Sequence, residues 1–199
     1  FILGNKKQSS IRINKVYTRS GDNGMTQIVS GEKRSKCDAR IEAYGGIDEL
    51  NAHIGLCKVL LTDSGKKELV SLAEYLLIIQ NELFNVGTQL ATNKRENDYP
   101  SISEKSIIKL EKEIDKANIH LSELHSFVLP GGDILNSQLH IARTICRRAE
   151  RKVVELAKSE FVNSVNIAYL NRLSDAFFVW SRLVIVLNGD SEPLWDPNL

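Results

Sequence analysis

The sequence predicts an all-α protein built as a five-helix bundle, and three observations predict it. Apolar residues recur at spacings of three and four through most of the chain. The stretches that carry this period are long and are separated by short polar or Gly/Pro-bearing breaks. No series of short alternating strands competes with them. With 199 residues and 42% hydrophobic content, the chain can bury one substantial core, so residues 1–199 are read as a single domain. Its divisions are a glycine-rich leader (1–40), a helical body (41–188) and a tail (189–199).

The first helix is expected from about Ile41 to Leu61. The second, "KKELVSLAEYLLIIQNELFNVGTQL", places Leu69, Leu72, Ala73, Leu76, Ile79, Leu83 and Val86 on one face, which belongs in a core. "ATNKRENDYPS" is a polar loop ending at Pro100. Ile107, Leu110, Ile114 and Ala117 then mark a shorter, highly charged and outermost third helix with Ser103 as its N-cap. "LPGGD" breaks the chain again before a fourth helix from Asp133 to about Glu160. The fifth runs from about Asn163 to Leu187 and stops at Asn188-Gly189, a common C-terminal signal.

Composition limits the function classes. Twenty-six basic and 25 acidic residues leave a net charge of +1, so no broad electrostatic bias favours nucleic acid or an anionic membrane, and any anion site is local. Three cysteines, odd in number and widely separated, suit neither a disulfide framework nor a zinc site and point to a reducing compartment. "FILGNKKQSS" is too short an apolar run for a signal peptide, and no stretch approaches the roughly 20 apolar residues that span a bilayer.

Four segments could carry chemistry. In "TRSGDNGMT", Gly21 and Gly24 can take positive φ and bring backbone N–H groups to a ligand, with Thr18, Ser20 and Thr26 as further donors and Arg19, Lys33, Arg34 and Lys36 as charge. The spacing is neither a P-loop nor a dinucleotide fingerprint, and an ordinary turn and an anion-binding loop fit it equally. In the fourth helix, at about 100° per residue, Asn136, His140, Arg143, Arg147 and Glu150 share a stripe beside the apolar Leu135, Leu139, Ala142, Cys146 and Val153. Arg148 points away from that stripe. Taken alone, the stripe reads as a solvated face with Arg147 and Glu150 paired along the helix. The fifth helix repeats the design with Asn171, Asp175, Phe178 and Arg182, and the first groups Asp48, Asn51, Ala52 and Gly55.

Together, "YTRSGDNGMT", "RSKCDARIEAYGGIDELNAHIG", "FVLPGGDILNSQLHIARTICRRAERKV" and "YLNRLSDAFFVWSR" stand in the order and spacing of one family. The chain resembles the ATP:cob(I)alamin adenosyltransferases of the propanediol-utilisation type, over nearly all of Tyr17 to Arg182. The resemblance implies a homotrimer of five-helix bundles with active sites at the subunit interfaces. It implies transfer of the 5′-deoxyadenosyl group of ATP to cob(I)alamin, giving adenosylcobalamin and triphosphate. It assigns ATP contacts to Thr18, Arg19, Ser20, Gly21, Thr26, Gln27, Lys36 and Arg40, and, from the neighbouring subunit, to Arg147, Arg148, Glu150, Arg151 and Asn171. Arg147 is the group expected to stabilise the departing triphosphate, and Asp48 and Arg143 are expected to pair across the subunit boundary. Phe127 matches the aromatic residue that displaces the lower axial base of the corrinoid, with Trp195 closing the pocket. Mg2+ is implied on the triphosphate, with no protein metal site. The resemblance also implies small-molecule partners, with an acceptor mutase and a cobalamin reductase in view, and a cytoplasmic or, in a eukaryote, mitochondrial-matrix location. The rival readings are a nonenzymatic ATP-dependent corrinoid carrier and a helical oligomerisation module whose arginines form interface salt bridges.

Overall fold

The computed structural model describes residues 17, 19–92 and 99–198, and they form five helices preceded by a small hairpin. The helices are α1 (Ala39–Asp63), α2 (Lys67–Leu90), α3 (Glu104–Asn118), α4 (Ile134–Ala157) and α5 (Ser164–Asn188). The expected boundaries hold within a few residues. Much of the expected Thr92 to Pro100 loop lies outside the described residues.

Local chemistry sets the helix ends. The side chain of Asp38 accepts from the Arg40 N–H to cap α1, Asp133 accepts from Leu135 and Asn136 to cap α4, and Asn163 accepts from Val165 to cap α5. Ser103 stands at the expected N-cap of α3, but its side chain makes no capping bond. Gly189 ends α5 at φ 80°, a conformation in which a Cβ would be strained.

Packing follows the apolar stripes. α1 lies against α2 and α4, α4 against α5, and α3 against the far side of α5. All seven residues expected on the buried face of α2 are buried, as are the five expected on α4. On α3 only Leu110 and Ala117 are buried, which leaves it outermost as its charge suggests. Gly46 faces Ala149 where α1 meets α4; a Cβ there would lie 3.4 Å from the Ala149 backbone. In the core the Trp180 ring meets Tyr75 and Phe177 edge-on at centroid distances of 6.2 and 5.7 Å. No helix among the described residues is long and apolar enough to cross a membrane.

One element departs from the all-α expectation. β1 (Met25–Gln27) and β2 (Lys33–Ser35) pair antiparallel, Thr26 opposite Arg34. Three residues per strand are too few for an alternating pattern to register in a sequence.

Candidate active site

The hairpin is held by its own turns. Ile28 N–H donates to the Glu32 carbonyl at 3.0 Å, and the Gln27 side-chain amide donates to the Gly31 carbonyl at 2.8 Å. At the other end Lys36 N–H donates to the Gly24 carbonyl at 2.9 Å, with Gly24 at φ 79°. Gly21 does not enter the left-handed region as expected; Arg19 does, at φ 60°. The missing side chain at Gly21 instead makes room for Lys36, whose Nζ would lie 3.2 Å from a Cβ there. Ser20, Gly21, Thr26, Gln27 and Lys36 are thereby gathered on one short structure. Thr18 lies outside the described residues.

The hairpin is tied to the helical body by ions. Arg34 reaches Glu160, Asp38 and Glu32, so its charge is engaged by the protein itself. Glu160 also accepts from Arg40 Nε at 3.0 Å and Nη2 at 2.8 Å, while Arg40 Nη1 donates to the Leu90 and Thr92 carbonyls, each at 2.7 Å. Arg40, expected on the triphosphate, is fully buried and staples the start of α1 to the end of α2 and to Glu160. Burial pushes the Glu160 carboxyl up, but the hydrogen bonds from Arg34 and Arg40 outweigh it and hold its pKa below the ordinary value. Nothing in the sequence pattern marked Glu160 beyond its place near a helix end.

On α4 the polar stripe is real and graded in depth. Asn136 is buried and donates to the Ser181 carbonyl at 2.9 Å; its Oδ1 accepts from Gly131 N–H at 3.1 Å. His140 is buried, 3.2 Å from Ser181 Oγ and edge-on to Phe178; burial, then the Arg143 charge, push its pKa down to about 4. Arg143 is half-buried, and its Nε has no hydrogen-bond partner. One turn on, Arg147 is exposed and meets no carboxylate among the described residues. The expected Arg147–Glu150 pair does not form; Glu150 instead accepts from Asn171 Nδ2 at 3.3 Å, joining α4 to α5. Arg148 turns away and pairs with Glu49 of α1, both ends exposed, and Arg151 is exposed.

Asp48 and Arg143 do not meet within the chain. Asp48 is exposed on a groove between α1 and α2, beside Tyr44, Gly45 and Phe84. Arg143 instead lines a cavity of about 600 Å³ with Leu124, Phe127, Phe178 and Trp195.

That cavity has an aromatic rim. Phe127 is 78% exposed, and its ring centroid lies 6.1 Å from that of Trp195. The tail returns from α5 and pairs with the segment before the Pro-Gly-Gly turn: Trp195 N–H donates to the Phe127 carbonyl and Leu129 N–H to the Pro193 carbonyl, both at 2.8 Å. Ser126 Oγ adds a bond to the Trp195 carbonyl, also at 2.8 Å. Two exposed aromatic rings, tilted 60° to each other on a fixed backbone, thus give the cavity an apolar rim.

Residues 16–184 match the family described as cobalamin adenosyltransferase. The chain is 47% identical to a corrinoid adenosyltransferase of Bacillus subtilis (strain 168), across 88% of this chain and 89% of the relative. It is 38% identical to the corrinoid adenosyltransferase MMAB of Homo sapiens, across 94% and 75%. Among solved structures, a variant PduO-type ATP:corrinoid adenosyltransferase from Lactobacillus reuteri, complexed with cobalamin and ATP, superimposes with a TM-score of 0.84 at 37% identity, covering 91% of this chain and 99% of that one.

Proposed function

The chain belongs to the cobalamin adenosyltransferase family, and from that membership we propose how its residues divide the work. The enzyme transfers the 5′-deoxyadenosyl group of ATP to cob(I)alamin. The cobalt(I) electron pair attacks C5′, the C5′–O bond breaks, and the triphosphate leaves with the bonding electrons. The nucleophile comes with the corrinoid, so the protein's task is to hold C5′ against cobalt and to stabilise charge on the leaving group.

The observation that carries this division is the uncompensated Arg143–Arg147 step on α4, with Arg143 opening into the aromatic-rimmed cavity. Arg147, Glu150, Arg151 and Asn171 form the nucleotide face of α4 and α5, and the hairpin residues Arg19, Ser20, Gly21, Thr26, Gln27 and Lys36, with Thr18, close over the triphosphate. Arg148 joins this set only by releasing Glu49. Magnesium would take phosphate and water oxygens. Phe127 faces the corrinoid where it displaces the lower axial base, and Trp195 covers the cavity.

The two nucleotide surfaces belong to different copies of the chain, arranged as a homotrimer. The hairpin is anchored at Glu160, beyond the end of α4, whereas Arg147 lies ten residues before that end, about 15 Å along the axis. A second copy that brings Asp48 to Arg143 would satisfy both groups and set an arginine stripe against a hairpin.

Anaerobic incubation with cob(I)alamin and magnesium ATP tests the activity. Formation of a light-sensitive cobalt–carbon product is expected. Binding of both ligands without that product would instead identify a carrier.

A further inference from the structure

The cavity beside Phe127 is walled by α4 (Arg143), by α5 (Phe178), by the segment 124–128 and by the tail (Trp195). One guanidinium joins the last three. Arg182 stands one turn beyond Phe178 on α5 and is only 6% exposed. Its Nε donates to Glu192 Oε1 at 2.8 Å and Oε2 at 3.1 Å, and its Nη2 donates to Glu192 Oε2 at 2.9 Å. The same Nη2 donates to the Ser122 carbonyl at 2.9 Å, two residues before the cavity wall begins. The two side chains of the ion pair are 8% and 11% exposed, so the pair that joins the tail to the body is nearly dry.

Burying such a pair is costly unless the geometry is good, and here both carboxylate oxygens are held by the arginine fork. Among the described residues past Gly189, only Glu192 and Pro193 are partly buried, so the tail buries little apolar surface against the body. Its position therefore depends on Glu192 and on the backbone pairing of residues 193–195 with 127–129.

We propose that Arg182 and Glu192 are positioning residues for the corrinoid half of the reaction, a latch that fixes Trp195 against Phe127 and so sets the closed shape of the cavity. The latch acts through Trp195 and touches no reacting atom. It lies on the far side of Phe178 from the nucleotide face, so it affects corrinoid and not ATP. This inference rests on the corrinoid reading of the cavity.

The test is a double-mutant cycle of Glu192→Gln and Trp195→Ala in the full chain, read as separate KM values for cob(I)alamin and ATP. Glu192→Gln keeps the shape and one acceptor oxygen, and an unchanged KM for ATP in the same sample reports a folded site. Each single change is expected to raise the cob(I)alamin KM about tenfold with the ATP KM within about twofold, and the double change to add little to Trp195→Ala. If Trp195→Ala leaves the cob(I)alamin KM unchanged, the corrinoid reading of the cavity fails. If Trp195→Ala raises it but Glu192→Gln does not, or if the two effects add fully, the latch is overturned and the cavity reading stands. If Glu192→Gln raises both KM values alike, its role is general stability and the latch is overturned too.

Discussion

Arg143 and Arg147 project from successive turns of α4, and neither meets a carboxylate among the described residues. Burial, and then the charge of Arg147, lower the pKa of Arg143 below its ordinary value. Two neighbouring cations without a counter-ion are a site prepared for an anion or for a partner's carboxylate.

Replacing Arg147 with alanine is therefore expected to slow the chemical step by roughly 10²-fold, about 3 kcal/mol, as for the loss of one preorganised donor to developing charge. Single-turnover kinetics at saturating ATP measure it. An unchanged rate would remove Arg147 from leaving-group stabilisation.

The proposed pairing of Asp48 with Arg143 between copies of the chain would make assembly and turnover one quantity. Asp48→Asn and Arg143→Ala are each expected to weaken the trimer and lower the turnover, and the double variant to be little worse than either alone. Sedimentation and turnover across the complete cycle check this, and strict additivity in both would show that the two groups are not coupled.

Phe127→Ala is expected to abolish the four-coordinate cob(II)alamin signal of the ATP-bound protein. Activity from preformed cob(I)alamin should fall less than activity starting from cob(II)alamin, because the role proposed for the ring is in base displacement. A four-coordinate spectrum of undiminished intensity would assign Phe127 to packing alone.

Glu160 carries a pH dependence of known sign. Its folded pKa is held below its ordinary value of 4.5, so its contribution to stability is complete above that value and is lost as pH falls through the folded pKa. Glu160→Ala leaves Arg40 buried and unpaired, which should cost about 3 kcal/mol and weaken ATP binding by loosening the hairpin. Thermal melts from pH 7 to pH 3 should show the variant losing less stability on acidification than the parent. Parallel curves would mean that Glu160 bears no such load.

The helices were legible because each carries its own periodic stripe and end signals: Leu69 to Val86 on α2, Asp133 at the start of α4 and Gly189 at the end of α5. The α4 polar stripe was legible for the same reason, down to the outward turn of Arg148. What escaped was set by partners distant in sequence. Arg40 reads as one more basic group near a glycine loop, and Glu160, 120 residues away, with the Leu90 and Thr92 carbonyls makes it a core staple. The hairpin depends on a side-chain bond from Gln27 to Gly31 that leaves no periodic trace. Glu192 is close to Arg182 in sequence, but their pairing requires the chain to turn back after Gly189, which no pattern in the tail announces.

Mixing two inactive chains tests most directly whether the site is shared between copies. Lys36→Ala disables the hairpin and Arg147→Ala disables the α4 face, so every chain in a re-equilibrated mixture carries one defect. If the two surfaces meet only across subunit boundaries, some interfaces join an intact hairpin to an intact Arg147, and about a quarter of the parent activity should return. No recovery on mixing, with subunit exchange confirmed by mass, would place the whole site within one chain and contradict the shared-site arrangement.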